Sequence, residues 1–263
     1  MKNIDVTALI LGICPPQRLK WLKETVDYLD KQKFPFIKKI IAVDEFRGDK
    51  MPLSLKKYFE SKKWIVLVDS HMSRIKSMDN AFSIIDSEYI FYNEDDVQVE
   101  MPRINDLTKI FKKIATEGRP CGMISLALGG TTNHFPANQY GDLDRVKDNI
   151  LLTNKDCLVF RRLEKKRNDW FFEFPALFIR TELFKLCHRI AKEKFPGLQI
   201  EKGLTKAWFN AKLEKKYYKC SLCRKDILNI VGDNPLKIFR KSRFITELDP
   251  KQGSNPFKGN NAY

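Results

Sequence analysis

Between Tyr89 and Val97 an apolar run, Tyr89-Ile90-Phe91-Tyr92, passes through Asn93 into three consecutive carboxylates, Glu94-Asp95-Asp96. An unbroken apolar run reads as a strand buried on both faces, the kind found inside a sheet covered by helices. Three acids at the end of such a strand are costly to bury unpaired. The junction therefore demands positive charge, and a divalent metal carrying a phosphate is the most economical supplier. That demand favours an enzyme over a simple binding module.

The same arrangement recurs upstream. Val6–Leu11, Ile40–Val43 and Ile65–Val68 read as further buried strands, with Asp44 closing the second and Asp69 the third. Leu19, Leu22, Val26 and Leu29 fall at helical spacing, as do Ile75, Met78, Phe82 and Ile85, and then Ile104, Leu107, Ile110, Phe111 and Ile114. Alternation of this kind predicts an α/β fold with a mostly parallel sheet and helices on both faces. Ligands of open α/β sheets bind beyond the carboxyl ends of the strands. Asp44, Asp69 and the triplet should therefore line one crevice. Taken singly, each acid also suits a turn or a helix cap; the repetition points to a site.

Beyond residue 120 the pattern loosens. Cys121 to Leu128 reads as a strand and residues 129–134 as a polar loop. Short β-like pieces follow over 149–174 around a charged run, Arg161 to Arg167. Helices are expected at about 181–194 and 203–214, and a basic, partly extended tail from 237. Charge divides the chain: residues 1–130 hold 21 Lys/Arg against 18 Asp/Glu, while residues 131–263 hold 27 against 15. A basic second half suits a polyanionic partner, although a solvated lysine-rich surface has the same composition.

With 43% hydrophobic and 12% aromatic residues a packed core is expected and global disorder is excluded. No run approaches the ~20 apolar residues of a membrane span, and the first residues lack a signal peptide's apolar core. A cytoplasmic protein is the expectation. The six scattered cysteines read as small buried hydrophobes. Cys220 and Cys223 form the only close pair, with Cys187-His188 as the nearest further zinc ligands, short of a strong zinc pattern.

No G-x-G-x-x-G follows the first strand and no G-x-x-x-x-G-K-[ST] occurs. A nucleotide bound here would need acids and a hard cation, Mg²⁺ or Mn²⁺, to meet its phosphates. The order of strand, helix, strand ending in Asp44, helix over 74–86, then Tyr-Ile-Phe-Tyr-Asn-Glu-Asp-Asp-Val resembles nucleotide-sugar glycosyltransferases of the GT-A fold. Their fourth strand ends in an Asp-x-Asp motif, and the Glu-Asp-Asp-Val form resembles that of N-acetylglucosaminyltransferase I-like enzymes. Ser73-Arg74 to Ala81 resembles the helix before that motif. The resemblance spans roughly residues 4–127 and weakens afterwards.

It implies a donor-binding half over 1–128, an acceptor-binding half of the same domain over 129–236, and the tail over 237–263. Asp96 would bind the metal and Glu94 support it. Asp95 would face the donor's ribose or sugar, Asp44 and Asp69 would lie beside the nucleotide, and Arg74 would hold a phosphate or sugar oxygen. A third metal ligand could come from His134 or Asp233. An acid near a helix start would act as base toward the acceptor hydroxyl. Glu201, in Gln199-Ile200-Glu201-Lys202, fits that place, since a carboxylate at a helix N-terminus is held ionised. Glu173, inside the aromatic run Trp170-Phe171-Phe172-Glu173-Phe174, is its rival. Those aromatics and Phe178 suit a stacking platform or, more commonly, a core.

The leading expectation is thus a metal-dependent glycosyltransferase. Its acceptor would be a polyanion such as hydroxymethylated phage DNA, or else a glycan or lipid. A metal-dependent nuclease and a non-catalytic nucleic-acid-binding protein are the alternatives.

Overall fold

The computed structural model describes residues 2–45, 48–70, 74–113, 119–126, 150–153, 157–161, 176–224 and 245–247. Its first half runs β1 (Val6–Ile13), α1 (Pro16–Lys31), β2 (Lys38–Asp44), α2 (Leu53–Ser61), β3 (Ile65–Asp69), α3 (Arg74–Ile84), β4 (Tyr89–Glu94), β5 (Val97–Val99) and α4 (Ile104–Lys113). The remainder is β6 (Cys121–Ser125), β7 (Ile150–Thr153), β8 (Cys157–Arg161), β9 (Ala176–Arg180), α5 (Thr181–Lys194), α6 (Ile200–Asn210), a 3₁₀ turn (Leu213–Lys215), β10 (Tyr218–Arg224) and β11 (Ile245–Glu247).

Among the described residues one sheet has the order β3-β2-β1-β4-β9-β6-β10-β8-β7. Only β8 and β9 run against the other strands. The mostly parallel α/β fold read from the sequence is what forms. Every residue of β1 is buried, as a strand covered on both faces requires. Its side chains alternate: Val6, Ala8 and Ile10 join one apolar cluster with Leu19, Leu22 and Val26 of α1, Phe59 of α2 and Phe111 of α4. Leu9 and Leu11 join the opposite cluster with Met78 and Phe82 of α3, Phe184 of α5 and Trp208 of α6.

Gly122 makes the second cluster possible. A Cβ there would lie 2.8 Å from the Tyr217 Cβ and 3.0 Å from the Trp208 ring, so a larger residue would push the packing away from β6.

Several elements depart from the sequence reading. Helix α2 was not expected; Phe59 is its one buried residue, with Leu55 and Tyr58 packed half-buried against the same core. Strand β9 was not expected either; it inserts antiparallel between β4 and β6. Phe178, considered for a stacking platform, is fully buried there and packs 4.9 Å from the Phe91 ring. The helix expected over 203–214 begins at Ile200 and stops at Asn210. Lys212 follows in the left-handed region with φ 54°, a conformation that ends a helix. Within the expected tail, Ile245–Glu247 pairs antiparallel with β5, directly after the acidic triplet.

Candidate functional site

The registers of the parallel strands bring the acids together. Ile13 is level with Asp44, Asp44 with Asp69, and Leu11 with Glu94. Asp44 and Asp69 are 3% and 4% exposed, and α3 supplies their partners. The Ser77 hydroxyl donates to Asp44, and the Asn80 amide donates to Asp69 Oδ2 at 3.4 Å.

Burial pushes the Asp44 carboxyl up to about 6, Asp69 adding to the effect and Ser77 and Arg74 opposing it. The folded chain therefore prefers Asp44 protonated. Asp44 costs nothing below the unfolded value near pH 4, and its penalty builds as pH rises from there and is complete above about 6. Asp44→Asn, which keeps an acceptor for Ser77, is expected to stabilise the fold by about 2–3 kcal/mol above pH 7 and by nothing near pH 4. Urea unfolding at both pH values measures the difference; a gain independent of pH would refute the charge argument.

Glu94 ends β4, and Asp95 and Asp96 form a turn that Asn93 closes, its amide donating to the Val97 carbonyl at 2.8 Å. The three acids have separate surroundings. Asp95, read from sequence as facing the donor, is wholly buried. Arg18 of α1 grips it through both Oδ1 and Oδ2, with Nε 3.1 Å from Oδ2. The Ile13 amide donates to the same Oδ2 at 3.3 Å, and the Thr25 hydroxyl to the Asp95 carbonyl at 3.0 Å.

Asp96 receives Arg18 Nη1 on Oδ2 at 2.6 Å, while its Oδ1 is buried with no partner among the described residues. Glu94 is partly open, with Arg74 Nη1 3.7 Å from Oε1. The Arg74 Nε is buried and without an acceptor among the described residues. Burial raises the affinity of Glu94 and Asp95 for protons, and the neighbouring acids add to it against the pull of Arg74 and Arg18. Burial works against both arginine charges, yet the acids more than compensate and hold them protonated.

Arg18 is the principal residue that the sequence reading overlooked. One signal was present: an arginine in the first turn of a helix opposes the macrodipole, and α1 has no acid in its first turn. Glu201 lies half-buried in the first turn of α6. Ile200 and Leu204 of the same helix share an apolar cluster with Tyr92 of β4, so α6 packs on the Tyr92 face of the sheet. Glu173, His134, Asp233 and Trp170 to Phe174 lie outside the described residues.

The zinc alternative finds no support. His188 is buried against Asp79 at 2.9 Å, with burial lowering its affinity for protons. Cys187 is a buried thiol that burial keeps protonated, and Cys220 lies inside β10. Among the described residues no three His, Cys, Asp or Glu side chains are grouped to hold a metal.

A hard divalent ion fits the acids in a different way. Mg²⁺ and Mn²⁺ bind through oxygen, and Mg²⁺ needs only one or two carboxylates when waters and substrate phosphates complete the shell. The unpartnered Oδ1 of Asp96 is such an oxygen, and leaving it unmatched costs about 1–3 kcal/mol. Glu94, partly open beside it in sequence, is the second.

The fold is GT-A-like. No family model matches the sequence, and no curated protein matches it. Among solved structures, residues 1–349 of S. aureus TarS superpose with a TM-score of 0.53 at 12% identity, over 83% of this chain and 58% of that one. The mannosyltransferase PcManGT from Pyrobaculum calidifontis, in complex with GDP-Man and Mn²⁺, gives 0.51 at 12% identity, over 84% and 57%. The chain thus spans less than two thirds of these relatives in structure. No helix among the described residues is long and apolar enough to cross a membrane.

Proposed function

We propose that the chain is a metal-dependent glycosyltransferase moving a sugar from a nucleotide-sugar to an acceptor hydroxyl. One observation carries the reading. Asp44, Asp69 and Glu94 lie along the carboxyl edge of a GT-A-like sheet, and Asp96, two residues beyond Glu94, carries an unmatched oxygen. The fold's solved relatives include structures with UDP and with GDP-Man and Mn²⁺.

In this reading Asp44 and Asp69 lie beside the nucleotide, and the spare Nε of Arg74 is a donor for a phosphate or sugar oxygen. Glu94 and Asp96 hold Mn²⁺ or Mg²⁺, which when bound neutralises the diphosphate as it leaves. Asp95 is the anchor of the turn, fixed by Arg18, rather than a group reaching the donor. Glu201 is the base toward the acceptor, with Glu173 its rival. The acceptor is a polyanion, and DNA bearing hydroxymethylated bases suits both the charge and the chemistry.

A two-metal nuclease would need more converging carboxylates than Glu94 and Asp96 once Asp95 is committed to Arg18. The test is a thermal-shift screen of UDP-, GDP-, CMP- and dTDP-sugars with and without Mn²⁺. One nucleotide is expected to raise Tm only when Mn²⁺ is present, since ligand at 100 times Kd adds about 2.7 kcal/mol. No shift with any of them would overturn the proposal.

A further inference from the structure

The outward surface of α6 and the turn after it carries one sign of charge. From Glu201 to Tyr217 the exposed residues are Lys202, Lys206, Asn210, Lys212, Lys215 and Lys216, with no exposed acid among them. Lys202, Lys206 and Asn210 recur every fourth residue, so they form one stripe along the helix. Several lysines elsewhere are neutralised: Lys23 and Lys62 pair with Asp27, Lys39 with Asp30, Lys38 with Asp86 and Lys192 with Asp79. Lys206, Lys212, Lys215 and Lys216 pair with no acid among the described residues. Four exposed lysines of one ridge therefore stand without a neutralising acid among the described residues.

Three kinds of partner could meet such a ridge, and its chemistry separates them. Protein interfaces are enriched in aromatic residues and Arg and depleted in Lys, so a ridge of lysines is a poor protein-docking surface. Membrane-surface helices insert an apolar face beside their cations. The exposed large hydrophobics of the described residues are Ile37, Leu53, Ile65 and Val68, none of them on α5 or α6. Lysine point charges in a row suit a succession of phosphates, which are met by position and charge rather than by planar forks.

We propose that the α6 ridge is a phosphate track for a nucleic-acid duplex, running from the turn at residues 212–216 toward Glu201. The ridge begins one residue from Glu201, the half-buried acid at the start of the same helix, which packs on the Tyr92 face of the sheet. A duplex on the track brings its bases toward that acid. The acceptor role rests on the glycosyltransferase reading, whereas the binding itself does not.

Fluorescence anisotropy of the full chain with a short labelled DNA duplex tests the track. Two variants of equal net charge are compared. One replaces Lys206, Lys212, Lys215 and Lys216 by Gln; the other replaces Lys31, Lys33, Lys57 and Lys63, exposed lysines of the first half. The ridge variant is expected to bind about tenfold or more weakly. Its slope of log affinity against log salt, measured between 50 and 200 mM, should shrink by roughly two to four, because each lost phosphate contact removes ~0.9.

The first-half variant should keep the wild-type slope. Equal weakening in both variants, absence of wild-type binding at 50 mM salt, or equally tight binding to phosphatidylserine vesicles would each overturn the track. Donor binding by thermal shift is read on the same proteins. A ridge that fails while a nucleotide-sugar still binds leaves the glycosyltransferase reading intact, and the converse result removes that reading while the track stands.

Discussion

Replacing Arg18 with methionine is expected to lower the unfolding free energy by about 3–5 kcal/mol, the usual cost of removing one partner from a buried ion pair. Asp95 is fully buried and Asp96 nearly so, while the Arg18 side chain is only 16% exposed. Without the guanidinium, two adjacent carboxylates would face each other in a medium that penalises even one. Methionine keeps most of the apolar stem, so the loss reports charge, hydrogen bonds and the guanidinium's place 5.5 Å from the Trp21 ring centre rather than a cavity.

Three comparisons isolate the cause. Arg18→Lys restores the charge but not the fork that engages both Asp95 oxygens and Asp96 at once, and should recover only part of the loss. Adding Asp95→Asn and Asp96→Asn to Arg18→Met should recover most of it, because a buried pair replaced as a whole is often close to neutral. The defect should also shrink as pH falls, since burial raises the affinity of Asp95 for protons and the neutral acid needs no counter-charge. Urea unfolding of the four proteins at pH 7.5 and pH 5 supplies these readings. A wild-type midpoint for Arg18→Met would show that the latch contributes nothing.

The latch also marks where sequence reading stops. The strands β1, β2 and β4 were legible because burial on both faces leaves no alternation to misread, only apolar runs with acids at their ends. The crevice was legible because parallel strands share a direction, which places Asp44, Asp69 and Glu94 at one edge. The orientation of Asp95 was not. It lies in a turn, where no period of two or 3.6 residues sets the direction of a side chain, and its partner Arg18 is 77 residues away in sequence.

Helix α2 and strand β9 escaped for related reasons. The apolar face of α2, Leu55, Tyr58 and Phe59, spans little more than one turn, too short a repeat to stand out as a helix. The pairing of Ala176–Arg180 with Tyr89–Asn93 is non-local and antiparallel within a parallel region, so Phe178 read as an extension of an aromatic cluster. At α6 the boundary slipped because Gln199 makes no side-chain cap and Lys212, not glycine, takes the left-handed conformation.

The three neighbouring acids should give three different phenotypes, and the largest functional effect is expected at Asp96. Asp96→Asn keeps an oxygen for Arg18 Nη1, so the turn should survive, but it replaces the charged donor set proposed for the metal. A loss of about 4 kcal/mol of charge stabilisation corresponds to roughly a thousandfold in turnover. Titration calorimetry with Mn²⁺ and the nucleotide found in the donor screen should show the metal-dependent heat vanish. Glu94→Gln should weaken metal binding less, because Arg74 already shares that carboxylate. Asp95→Asn should do the opposite of Asp96→Asn. It loosens the Arg18 latch and lowers stability, yet the folded protein should require the same Mn²⁺ concentration as wild type. If Asp95→Asn raised the metal requirement as far as Asp96→Asn did, Asp95 would belong to the metal's own donor set and the division of labour within the triplet would fall.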